Sequence, residues 1–191
     1  DAELQSMLDT TQDAPAWFAD MLAAAYGKAR TSAILAAHRV EAPFDFSVKS
    51  DPGLWAERLG GIVLPTGSVR VGKLDAAVSS LPGFEDGDWW VQDAAAALPA
   101  RLLGDIAGRR VADLCAAPGG KTAQLEVAGA DVIALDASKN RLTRLASNLE
   151  RLRLRATLVQ ADMLSYRPDV LFDAVLLDAP AAAQLDARQQ V

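Results

Sequence analysis

Four short apolar runs, each ending on or near an aspartate, occupy the second half of the chain, and the first opens a Pro-Gly-Gly-Lys-Thr turn. They are Val111-Ala-Asp-Leu-Cys115, Asp131-Val-Ile-Ala-Leu-Asp136, Ala156-Thr-Leu-Val-Gln-Ala-Asp162 and Asp173-Ala-Val-Leu-Leu-Asp178. Runs of this length alternating with helical stretches form parallel strands of a doubly wound α/β sheet, covered on both faces. Ligands of such sheets bind outside the carboxyl ends of the strands, where the strand order reverses. Asp136, Asp162 and Asp178 should therefore share one rim beside a glycine-rich turn. That is the layout of a site for a nucleoside-containing cofactor.

The turn is neither of the two common phosphate cradles. A P-loop needs G-x-x-x-x-G-K-[ST]; Gly120-Lys121-Thr122 fit its end, but the opening glycine falls at Cys115. The dinucleotide fingerprint G-x-G-x-x-G is also missing. What remains is a tight strand-to-helix turn whose two glycines let backbone approach a ligand closely, with Pro118 stiffening the entry. Asp136 follows Asp113 by 23 residues, near the spacing at which an acidic residue accepts from ribose hydroxyls. Asp162 could take an exocyclic adenine amine, and Asp178 lies toward the substrate side. A single aspartate at such a place is most simply a helix cap or a solvated loop residue. Three at successive strand ends beside a Gly-Gly turn favour a site.

Upstream, residues 15–40 carry apolar side chains at helical spacing, with Gly27 a break. Phe44-Asp-Phe-Ser-Val48 alternates and reads as a half-buried strand. Asp51 and Pro52 form an N-cap and first helical position for a helix through Leu59, ended by Gly60-Gly61. Asp88-Trp-Trp-Val91 reads as a strand feeding a helix over residues 92–103, which Pro99 should bend or divide. Trp89 and Trp90 read as core residues rather than base-stacking platforms. A helix over residues 138–152 puts Leu142, Leu145, Leu149 and Leu152 on one face. The expected division is residues 1–85, an N-terminal helix plus a small mixed α/β accessory domain, and residues 86–191, the core.

The net charge of −6 argues against a generic nucleic-acid surface, but the balance is uneven: −7 over residues 1–108 and +1 over 109–191. Lys139, Arg141, Arg144, Arg151, Arg153 and Arg155 form a basic cluster opposed by Glu150. It reads as a solvated helix face, with a phosphate-contacting stripe the alternative. One cysteine excludes an internal disulfide and suits a reducing cytoplasm. No Cys/His cluster has metal-ligand spacing, so no metal is expected. No apolar run is long enough to span a bilayer.

Asp113-Leu-Cys-Ala-Ala-Pro-Gly-Gly-Lys-Thr122, Leu135-Asp-Ala-Ser138 with Arg141 following, Gln160-Ala-Asp162 and Leu177-Asp-Ala-Pro180 resemble S-adenosylmethionine-dependent RNA (cytosine-5) methyltransferases. Leu64-Pro-Thr-Gly-Ser-Val-Arg70 and Trp89-Trp-Val-Gln-Asp93 resemble their bacterial 16S ribosomal RNA branch, the Sun/RsmB type. The resemblance implies a Rossmann-like methyltransferase sheet preceded by an accessory unit that grips RNA. It also implies S-adenosylmethionine as cofactor and small-subunit ribosomal RNA as partner. By the same resemblance Cys115, Ala116, Ala117, Pro118, Gly119, Gly120 and Lys121 would wrap the cofactor, aided by Arg141. Asp136 would hold the ribose and Asp162 would lie near the adenine. Asp178 would face both the methionine end and the target base, acting as the catalytic carboxylate.

The sequence departs from that pattern at one point. The family has a cysteine directly after the Asp-Ala-Pro stretch and its nucleophilic cysteine further downstream; here position 181 is alanine and Cys115 is the one cysteine. Cys115 belongs to the cofactor turn and reads as a small buried residue. The nucleophile and the last strands of the sheet are thus expected to be missing. An omitted loop after Pro180 and a cut C-terminal part would explain this. A catalytically inactive S-adenosylmethionine-binding RNA-binding or assembly protein is the alternative.

Overall fold

A computed structural model describes residues 14–179; the junction after Pro180 lies outside them. The described residues fall into two compact units that part between Ala42 and Pro43. The first is a helical hairpin, α1 (Ala16–Tyr26) and α2 (Lys28–Ala37), broken at Gly27 as its sequence requires. The Gly27 amide closes α1 on Ala23, and its carbonyl accepts from the Thr31 hydroxyl at 3.0 Å.

The second unit holds two four-stranded sheets. The smaller is antiparallel, in the order β2-β3-β1-β4: β1 (Phe44–Val48), β2 (Ile62–Val63), β3 (Val69–Val71) and β4 (Trp89–Val91), with α3 (Pro52–Leu59) between β1 and β2. Asp51 caps α3 by accepting from the Leu54 amide at 3.0 Å, and Gly60 ends it. Phe46, Trp55, Val69, Val71 and Trp89 form the core. The Phe46 and Trp89 rings meet edge to face, 4.9 Å between centroids.

β1 is not the half-buried strand that its alternation suggests. Asp45 and Ser47 are buried along with Phe46, because each polar side chain is satisfied inside. Arg70 donates from Nε and Nη2 to the two Asp45 oxygens at 2.6 and 2.7 Å, and the Ala94 amide adds a third bond at 2.9 Å. The Arg70 guanidinium holds the Asp45 carboxyl below its usual range. A carboxyl lowered by folding stabilises above the ordinary aspartate range, and that contribution is lost as pH falls through the lowered value. Asp45→Asn is therefore expected to cost about 2 kcal/mol near neutral pH. Its urea midpoint should converge on the wild-type value as pH falls below the ordinary aspartate range.

The larger sheet is parallel, in the order β7-β6-β5-β8: β5 (Arg110–Asp113), β6 (Asp131–Asp136), β7 (Thr157–Gln160) and β8 (Ala174–Leu176). From β5 the chain steps outward to β6 and β7, crossing through α5 (Gly120–Val127) and α6 (Lys139–Arg151). It then returns to the far side of β5 with β8, so the order reverses between β5 and β8. β5 and β6 are buried along most of their length, as continuous apolar runs demand. The expected leucine face of α6 is present: Leu142, Leu145 and Leu149 are buried. Asp113 and Asp136 are the last residues of their strands, whereas Asp162 and Asp178 each lie two residues beyond.

Two expectations need correction. Residues 92–103 are not one helix; only α4 (Leu98–Arg101) is helical, with Pro99 in its first turn instead of at a kink. The Asp93 carboxylate takes the Ala95 and Ala96 amides at 2.8 and 3.2 Å, closing a turn where a helix would otherwise begin. The expected division at residues 85/86 also differs from the observed compact units. β4 completes the small sheet beyond that point, and the end of α6 is bonded to the small sheet. Arg151 donates to the carbonyls of Phe84 and Trp89, and the Lys49 ammonium to that of Leu152. Gly87 is packed so closely that a Cβ would lie 2.1 Å from the Arg151 carbonyl oxygen.

Candidate functional site

The turn after β5 is fixed from several sides. The Leu114 amide bonds to Leu176 on β8 and the Ala116 amide to Leu135 on β6, at 3.0 and 2.9 Å. The Ala117–Pro118 peptide is cis. Gly119, at φ +109°, starts α5 in a conformation that other residues rarely adopt. α6 holds the outside of the turn: Arg141 Nη2 donates to the Ala117 carbonyl at 2.6 Å and Asn148 Nδ2 to that of Pro118 at 2.8 Å. Leu145 lies beneath Gly119.

Asp113 closes the turn from inside. It is 2 % exposed, and the Thr122 hydroxyl donates to its Oδ2 at 2.8 Å. Burial pushes its carboxyl up; the Thr122 hydroxyl and the Cys115 amide pull the other way. Thr122→Val removes a donor from a buried carboxylate and should cost about 1–3 kcal/mol. A carboxyl raised by folding stabilises most below the ordinary range and loses that contribution as pH rises through the raised value. The deficit of Thr122→Val in urea unfolding should therefore grow from acid toward neutral pH.

Asp136, 4 % exposed at the tip of β6, is held through one oxygen: Oδ1 accepts from the Ser138 amide at 2.9 Å. Its other oxygen, Oδ2, is buried without a hydrogen-bond partner, although Arg141 Nη2 lies 3.3 Å away. A buried, unsatisfied acceptor is rare in a folded chain and marks a place where a donor belongs. Across the switch point, Lys121 Nζ pairs with Asp178 Oδ2 at 2.6 Å. Asp178 remains 45 % exposed, while Lys121 is mostly covered. Cys115 sits between these acids. Burial, then Asp136 and Asp113, push its thiol up, which keeps it protonated and poorly nucleophilic.

Residues 115–121, Arg141 and Asp178 line one cavity of about 760 Å³, within the range of small-ligand sites. Asp136 and Asp162 are not among its walls. Asp162 is exposed and caps a local turn, accepting from the Leu164 amide at 2.9 Å. The opposite wall was not anticipated: Phe84, Trp90, Gln92, Asp93, Asn148 and Arg151. The Trp89-Trp-Val-Gln-Asp93 run was its one signal in the sequence. The basic cluster is only partly a solvated face. Arg141 is tied to the turn, and Arg151 lies over the Phe84 ring, 4.2 Å from its centroid. Among the described residues, no group of three or more His, Cys, Asp or Glu is placed to hold a metal.

Residues 100–190 match the model of the family described as 16S rRNA methyltransferase RsmB/F. This stretch is similar to the core of RsmB/F methyltransferases. Ribosomal RNA small subunit methyltransferase B of Salmonella paratyphi B is 47 % identical over 113 residues, covering 56 % of this chain and 26 % of that protein. The Serratia proteamaculans protein of the same name is 46 % identical over 112 residues, with the same coverage. The chain thus spans about a quarter of the length of these relatives. A methyltransferase homolog protein from Pyrococcus horikoshii, solved as a crystal structure, superposes with a TM-score of 0.66 at 28 % identity over 81 % of this chain and 55 % of its own. NSun6 from Pyrococcus horikoshii, solved with SFG, shares the fold at a TM-score of 0.74 and 18 % identity, over 88 % of this chain and 71 % of its own. The parallel sheet and its helices have the Rossmann-like methyltransferase fold. No helix among the described residues is long and apolar enough to cross a membrane.

Proposed function

We propose that this chain binds S-adenosylmethionine at the carboxyl rim of its parallel sheet and serves methyl transfer to C5 of a cytosine in small-subunit ribosomal RNA. The buried Oδ2 of Asp136, ion-paired to Arg141 but without a hydrogen bond, carries the cofactor reading. A ribose hydroxyl is the donor it needs. Residues 115–121 would wrap the ribose and methionine portions, with Arg141 holding Ala117 and Asp136 in place. Asp162 would take the adenine amine through its carboxylate. The ribosomal substrate rests on the names of the relatives, and the accessory role of residues 1–85 in gripping RNA on the resemblance.

S-adenosylmethionine supplies an electrophilic sulfonium methyl group. Asp178, held by Lys121, would meet the target base and steady a proton at its N3. Fixing the base in line with the donor contributes much of the rate. A thiolate is needed to attack C6 of the ring. The neutral Cys115, tucked into the turn, does not fill that role.

Calorimetric titration with S-adenosylmethionine tests the cofactor; absence of binding refutes it. For the substrate, the gene product purified from its own cells is incubated with unmodified small-subunit RNA and methyl-labelled donor. Label recovered as 5-methylcytosine supports the reading, and label at another position overturns it.

A further inference from the structure

Gln92 follows β4 and is 8 % exposed, and every polar atom of its amide is engaged. Its Oε1 accepts from the Ser47 hydroxyl at 2.8 Å and from Trp90 Nε1 at 2.9 Å. An indole nitrogen can only donate, so Oε1 must face it and the amide orientation is fixed by chemistry. Nε2 then points the other way and donates to Gln124 Oε1 at 2.7 Å. Gln124 in turn donates to the Ala97 carbonyl at 3.0 Å. The Gln92 amide also lies against Gly120: a Cβ there would be 3.4 Å from Gln92 Cδ and Nε2. One buried amide therefore joins the small sheet to the first turns of α5, the helix that begins at the Gly119-Gly120 turn.

We infer that Gln92 is a positioning residue that fixes the turn of residues 115–121 for its ligand; this rests on the S-adenosylmethionine reading above. α6 braces the outside of the turn through Arg141 and Asn148. Gln92 braces the inner side, from the small sheet. Its donor is essential to that link, because Gln124 presents an oxygen. A carboxylate in its place would set oxygen against oxygen, whereas a protonated carboxyl would restore one donor and keep an oxygen for Ser47 and Trp90.

The test is S-adenosylmethionine titration of wild type, Gln92→Glu and Gln124→Met at about pH 8 and about pH 5.5. The expected result is a loss of about tenfold in affinity for Gln92→Glu at the higher pH, largely recovered at the lower. Gln124→Met, which removes the acceptor but leaves Ser47 and Trp90 bonded to Gln92, should lose affinity at both pH values. Amide hydrogen exchange in residues 115–122 should quicken in step with the affinity losses, while exchange within β1 and β3 stays unchanged. Wild-type affinity for Gln92→Glu at both pH values overturns the inference, as does a loss that does not depend on pH. An unchanged Gln124→Met would show that the link does not run through Gln124 and would overturn it equally. If wild type itself binds no S-adenosylmethionine, the cofactor reading falls first and takes this inference with it.

Discussion

Asp136→Asn is expected to weaken S-adenosylmethionine binding about hundredfold while leaving stability within about 1 kcal/mol of wild type. The two effects separate because the two carboxylate oxygens have different duties. Oδ1 accepts from the amide of Ser138, the residue that caps α6, and asparagine keeps an oxygen for that purpose. Oδ2 makes no hydrogen bond and pairs with the half-exposed Arg141, so the folded chain loses about 1 kcal/mol or less when it changes. Its replacement, an amide NH₂, cannot accept from a ribose hydroxyl and turns a donor toward Arg141, 3.3 Å away. Hydrogen bonds from hydroxyls to a buried carboxylate are worth about 1.5–3 kcal/mol each, which sets the size of the loss. Asp136→Ala should bind as poorly and also lose the hydrogen bond from the Ser138 amide, at a further cost of about 1 kcal/mol. Titration calorimetry paired with urea unfolding of both variants makes the check. Unchanged affinity in Asp136→Asn would remove Asp136 from the ribose role.

The parallel sheet was legible in the sequence because its signals are local. Each strand is a short, mostly apolar run, with β5 and β6 buried along most of their length and the edge strands β7 and β8 partly exposed, and Asp113 and Asp136 end theirs as read. The turn was legible for the same reason, since Gly119 occupies a backbone conformation that only its residue type adopts readily. What was not legible depends on partners distant in the chain. Asp45 and Ser47 look like the wet side of a strand until Arg70 and Gln92 are brought against them. The stretch after Gln92 has helical composition, but the Asp93 side chain captures the amides that a helix would use. The far wall of the cavity comes from Phe84, Trp90 and Gln92, and its place follows from how the end of α6 docks on the small sheet. No periodicity records that contact.

Trp89→Ala should have the largest effect on stability, about 3–5 kcal/mol. Trp89 is fully buried, its ring edge meets Phe46, and Phe84 lies 5.7 Å away between centroids. Its indole Nε1 donates to the Pro82 carbonyl at 2.8 Å, so truncation also strands that acceptor. Trp89→Phe separates the two terms: it keeps most of the apolar volume and gives up the hydrogen bond, for a cost of about 1–2 kcal/mol. The damage should not stay within the small sheet. Trp89 lies on the strand that leads through Trp90 to Gln92, and its carbonyl accepts from Arg151 at the end of α6. In Trp89→Ala the urea midpoint and the S-adenosylmethionine affinity should fall together, as expected if the small sheet and the cofactor turn share one cooperative unit. A variant that loses stability but binds the cofactor as tightly as wild type at low urea would show that the two sheets are energetically independent.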